Sequence, residues 1–79
     1  MSNGPFAVGQ RYRVLKDFKS LRDAFLAGEV LIYESTAWSR YDGITGYFFQ
    51  DLNGRGRMWD IYDDEDIRIW KELFNPISQ

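Results

Sequence analysis

Residues 44–62, ITGYFFQDLNGRGRMWDIY, decide the fold. Asn53-Gly54 stands between two aromatic runs, ITGYFFQD at 44–51 and MWDIY at 58–62. Asn-Gly is the strongest short hairpin signal, because it supplies positive φ angles at little steric cost. The expectation is a tight antiparallel hairpin with Gly54 in the left-handed region.

Outward from this hairpin, the chain reads as further short strands. EVLIYE, 29–34, joins β-branched and aromatic residues behind Gly28 and reads as a strand. In RYRVLKDF, 11–18, Tyr12, Val14 and Phe18 share one face while Arg11, Arg13 and Asp17 share the other. That period of two marks a half-buried strand, bending at Leu15 and Lys16. Between these strands lies SLRDAFLAGE, 20–29. Ser20 and Asp23 have capping-box spacing and Gly28 stands where a helix stops, so a short helical turn is expected. The alternative is an irregular loop pinned by Phe25 and Leu26. STAWSRYDG, 35–43, reads as a polar loop carrying two aromatics. IRIW, 67–70, reads as the fifth strand, with KELF, 71–74, as a last helical turn that Pro76 ends. The rival is one helix over 64–73, with acidic residues at its N-terminal end.

The fold class is therefore all-β. It is a single domain over 1–79, with an ordered core about 6–74 and a frayed start at 1–5. Five short strands cannot leave flat open edges without risking aggregation, so the sheet is expected to curl into a small barrel.

Composition removes whole classes of chemistry. The 79 residues contain no Cys and no His. Disulfide scaffolds, zinc and iron–sulfur sites, thiol nucleophiles and the Ser-His-Asp triad go together. Six Phe, five Tyr and three Trp supply the bulk that lets a small core hold without staples. Ten basic residues face twelve acidic ones, for a net charge of −2, a poor start for phosphate neutralisation. The longest apolar run, Val30 to Tyr33, is strand-sized, and MSNGPFAVGQRYR has no secretory pattern. The default expectations are no membrane, a cytoplasmic location and a monomer.

VLKDF, Val14 to Phe18, is similar to the motif that opens SH3 domains. FLAGEVLIY, Phe25 to Tyr33, resembles their entry into the second strand. Asn53-Gly54 falls at their distal hairpin, and IYDDEDIRIW falls at their 3₁₀ turn and closing strand. Over residues 11–70 the chain thus resembles a five-stranded SH3-like barrel, with a short helical turn in the first long loop. It also resembles, more distantly, small bacterial proteins with a Gly-Glu strand entry and a YDG segment, which imply no activity. The peptide groove of SH3 domains does not carry over. Lys16 stands where they have a Tyr, GITGYFF where they have a Trp, and no Pro accompanies Tyr62 before the closing strand.

Four constellations carry candidate chemistry. Asp60, Asp63, Asp64, Glu65 and Asp66 lack the alternate acids, central Gly and distant Glu of an EF-hand, so no metal or cofactor is expected. Asn53-Gly54-Arg55-Gly56-Arg57 lacks the Gly-Lys-Ser/Thr and following helix of a phosphate loop. Arg11, Arg13, Lys16, Lys19 and Arg22, with Arg55 and Arg57, form the basic side that a nucleic-acid-binding barrel would use. Trp38, Arg40, Tyr41 and Tyr47 are the predicted binding residues, because aromatics and Arg dominate hot spots. The expected function is a non-catalytic module for a protein or peptide. The alternatives are nucleic-acid binding and, behind it, a small enzyme or ligand-binding protein.

Overall fold

A computed structural model describes residues 5–77; of the expected frayed start, 1–4 lie outside the described residues. The chain is mainly β. Its strands are β1 (Arg11–Val14), β2 (Phe18–Lys19), β3 (Ala24–Phe25), β4 (Val30–Ser39), β5 (Ile44–Asp51), β6 (Gly56–Tyr62) and β7 (Phe74–Ile77). A 3₁₀ turn, Ile67–Ile69, runs into the one-turn helix α1, Trp70–Leu73. Five strands form one antiparallel sheet in the order β6-β5-β4-β1-β7, and β2 and β3 form a separate two-stranded ribbon.

The hairpin stands where the sequence puts it. Gly54 has φ +83°, and the Asp51 carboxylate accepts from the backbone N–H groups of Asn53 and Arg55, both at 2.9 Å. The core face of the sheet carries Tyr12, Val14, Leu31, Tyr33, Phe49, Trp59, Ile61 and Phe74, all buried. Phe6, ahead of the first strand, plugs this face. Its ring is edge-on to Tyr12, Phe49 and Phe74 at 5.1, 5.1 and 5.3 Å. Burying each such aromatic contributes about 1.5–3 kcal/mol, which is how a cysteine-free chain of this size holds together.

Three expectations change. The helical turn expected after Ser20 is instead the turn of the β2–β3 ribbon, closed by Ser20 N–H donating to Asp23 O at 2.8 Å. The fifth strand is not 67–70. Asp66 caps that segment by accepting from the Arg68 N–H, the chain turns helical, and the closing strand is Phe74–Ile77. The barrel does not close either: β6 and β7 remain the two edges of an open sheet.

Those edges are covered without closure. Alternate residues of an antiparallel edge strand aim their N–H groups outward. On β6 these include Met58, Asp60 and Tyr62, each of which finds a side-chain acceptor. The acceptors are Asp23 Oδ2 at 2.8 Å, Ser20 Oγ at 2.7 Å and Glu65 Oε1 at 2.9 Å. On β7, Pro76 has no N–H to offer and Phe74 donates to Trp70 O. The hazard of open edges is met by side chains and one proline.

Candidate functional site

The long β4–β5 hairpin builds the site. Residues 35–39, expected as loop, extend β4 to ten residues after a register shift between Tyr33 and Ser35. Their polarity hides the strand, because beyond the shift residues 35–38 are exposed to solvent. Trp38 pairs with Thr45, and the turn is confined to 40–43, where Gly43 has φ +62° and donates its N–H to Ser39 O at 2.9 Å.

Trp38 is 61% exposed and Tyr41 is 94% exposed. Strand pairing holds the Trp38 backbone, and its indole is held too: Nε1–H donates to Asp63 Oδ2 at 3.1 Å. Asp63 is itself fixed by Thr45 Oγ1 at 3.3 Å and by its own N–H donating to Gly43 O at 2.8 Å. The Arg40 guanidinium lies 5.9 Å from the centre of the Trp38 ring. The structure thus brings Trp38, Arg40 and Tyr41 together at one exposed tip.

Tyr47 does not join them. It is buried, with its ring 5.3 Å from Phe6 and 5.5 Å from Trp59. Burial pushes its hydroxyl above the ordinary tyrosine range, and Tyr33 and Asp63 add to the shift. Alternation along β5 places Tyr47 on the side of Phe49, so it is a core residue and not a surface contact.

Beside Trp38 runs a groove of about 410 Å³. Leu21 and Arg22 of the ribbon turn form one wall, Trp38 and Asp42 the other, and Gly46 and Met58 line it between them. Gly46 leaves room there for the Met58 and Asp60 side chains. A Cβ at that position would stand 2.8 Å from Met58 Sδ and 3.0 Å from Asp60 Oδ1. Arg22 is anchored by Asp60, with Nη2 to Oδ1 at 2.8 Å and Nε to Oδ2 at 3.2 Å. A second groove of about 470 Å³ shares Leu21 and Asp60 with the first. It is lined by Phe18, Trp59, Ile61, Tyr62 and Ile69. Leu21, Tyr62 and Ile69 are large apolar residues left 55%, 46% and 41% exposed.

Sequence reasoning missed Leu21, Met58 and Asp42, and it singled out Asp63 only as part of the acidic run. Leu21 stands one residue after Ser20 in a segment with helix-like spacing, and its exposure follows from a turn that spacing alone does not reveal.

Arg22 and Arg57 of the basic side are engaged within the chain. Arg57 is buried, its Nη1 bonded to Glu29 Oε2 at 2.8 Å, its Nη2 donating to Ala24 O, and its guanidinium 4.8 Å from the Phe25 ring. Arg22 is spent on Asp60. Among the described residues no group of three acidic side chains is arranged to hold a metal ion. Asp60 sits apart from 63–66, tied to Arg22 and Ser20.

No family model matches the chain, and no curated protein matches it. Among solved structures, an integron cassette protein from the mobile metagenome of Vibrio cholerae is similar, with a TM-score of 0.79 and 19% identity. The match covers 96% of this chain and 90% of that one, and at this identity the likeness is one of fold.

Proposed function

We propose that the chain is a non-catalytic SH3-like module that binds a protein or peptide segment in the paired grooves on either side of Leu21. The strand order, the long first loop carrying a ribbon, and the helical turn before the closing strand support the SH3-like reading. One observation carries the binding reading: Trp38 is 61% exposed and yet held by a hydrogen bond from its indole, beside a groove of mixed apolar and charged lining. A large apolar ring fixed at low entropic cost is what hot spots use. With the outward N–H groups of Met58, Asp60 and Tyr62 on one edge and of Phe74 on the other occupied, recognition by strand addition is disfavoured and side-chain recognition in the groove is favoured. As a monomer in the cytoplasm, such a module acts by bringing its partner to another site.

The test is retention of partners on immobilised protein, comparing the wild type with Trp38→Ala. The reading expects the variant to keep its melting temperature and lose a specific retained partner. Equal retention by both proteins overturns it.

A further inference from the structure

We propose that the segment taken up beside Trp38 is positively charged, with an Arg or Lys side chain lying on the free face of the indole. This rests on the reading of the groove as a peptide site and adds the chemistry of its occupant.

Charge is the first argument. Asp60, Glu29, Asp66 and Glu72 are each matched by a basic side chain within 4 Å. Asp42, Asp63, Asp64 and Glu65 form no ion pair among the described residues. All four are exposed, and two of them, Asp42 and Asp63, stand on the groove wall and on the indole itself. Asp64 and Glu65 follow Asp63 in the same turn, whose Glu65 N–H donates to Tyr62 O at 2.9 Å. Arg40 at the tip and Arg22 on the facing wall are the basic groups here, and Arg22 is matched by Asp60, so unpaired carboxylates outnumber unpaired cations. Such a surface steers cationic segments in and repels acidic ones.

The indole is the second argument. Its one polar group, Nε1–H, is already used by Asp63. What remains to a ligand is the π face, whose quadrupole attracts cations, and Trp is the strongest of the aromatic platforms. The Arg40 guanidinium at 5.9 Å shows that the ring accepts a cation within the chain itself.

The groove wall is the third. Leu21 and Met58 give the hydrocarbon stem of Arg or Lys an apolar path while the charged head stays at the carboxylates. Neutral apolar segments gain only part of this, and acidic ones meet Asp42 on the groove wall and Asp63 at the indole.

The experiment pans a random dodecapeptide phage library against the wild-type protein, with Trp38→Ala as the counter-selection. The proposal expects enriched peptides that carry Arg or Lys next to an apolar residue and depend on Trp38. Trp38-dependent peptides that are neutral or acidic overturn the charge proposal and leave the groove reading standing. An absence of Trp38-dependent peptides overturns both. An enriched basic peptide is then titrated by fluorescence polarisation. With Asp42→Asn/Asp64→Asn its affinity should fall by about tenfold, and raised salt should weaken the wild-type complex in the same direction. Unchanged affinity on both counts overturns the proposal. Should Trp38→Ala fail to fold, Trp38→Phe replaces it in both steps, since Phe keeps the ring but binds cations less well.

Discussion

The guanidinium of Arg57 lies 4.8 Å from the ring of Phe25, stacking a β6 side chain on a β3 side chain across the sheet edge. The same guanidinium bonds both oxygens of Glu29, at 2.8 and 3.2 Å. One buried cation thus joins the ribbon, the start of β4 and the edge strand. Lysine cannot reproduce the two-pronged bond. Arg57→Lys should lower stability by roughly 1–2 kcal/mol, and Arg57→Ala by roughly 2–4 kcal/mol, below the full cost of a broken buried pair because Glu29 retains some water contact. Urea denaturation measures both. Equal stability of Arg57→Ala and the wild type would show that the pair contributes nothing.

Glu29 gives the fold an acid-sensitive point. The hydrogen bonds from Arg57 hold its carboxyl below the ordinary glutamate value, against the opposing effect of burial. A lowered folded-state value means that the ionised form is favoured by folding. The stability it brings is therefore present above the ordinary carboxylate range and is lost as pH falls through the folded value. The melting temperature of the wild type should drop more steeply between about pH 5 and about pH 3 than that of Glu29→Gln. Parallel profiles would remove Glu29 from the account.

Gly54 isolates a pure backbone effect. Its φ is +83°, and a Cβ there would meet nothing within 4 Å. Any loss on substitution is conformational. Gly54→Ala should cost about 1 kcal/mol, Gly54→Val more, and Gly54→Asn clearly less, because Asn tolerates the left-handed region. The order Asn, Ala, Val in denaturation midpoints checks it; a flat series contradicts it.

Trp38 and Tyr47 should separate cleanly. Trp38→Ala removes an exposed ring and should cost less than about 1 kcal/mol. Tyr47→Ala empties part of the core and should cost about 3–5 kcal/mol. In acrylamide quenching, the Trp38→Ala protein should lose the most accessible fraction and keep the emission of buried Trp59 and half-buried Trp70. A Trp38→Ala protein as unstable as Tyr47→Ala would place the indole in the core.

These contrasts mark what a sequence can say. Asn53-Gly54 is legible because φ preference is a local property of two residues. Tyr47 is legible too, once alternation is followed from Phe49 two positions on. Ser20 and Asp23 are not. A side-chain oxygen spaced to cap a helix serves equally to cap a strand edge, and only the arrival of β6 chooses. Residues 35–39 are hidden for another reason. A strand that runs past the core with its side chains in water has no apolar face to show a period. At 67–73, helical and extended spacings fit the same apolar residues, and the Asp66 cap decides locally for the turn. The candidate site was half legible, since Trp38, Arg40 and Tyr41 stand in one polar stretch, while Leu21 and Met58 reach it only through the fold.

The side-chain caps on β6 also turn one edge of the sheet into a clock. The amide protons of Met58 and Asp60 are held by Asp23 and Ser20, both in the ribbon turn, while those of Trp59 and Ile61 belong to the ladder with β5. Lifting the ribbon turn frees the first pair without disturbing the second. Deuterium should therefore enter at 58 and 60 at the rate of ribbon opening and at 59 and 61 only at the rate of sheet unfolding. Adjacent residues of one strand would then report two different motions, and the gap between them measures how loosely the wall of the groove is hung.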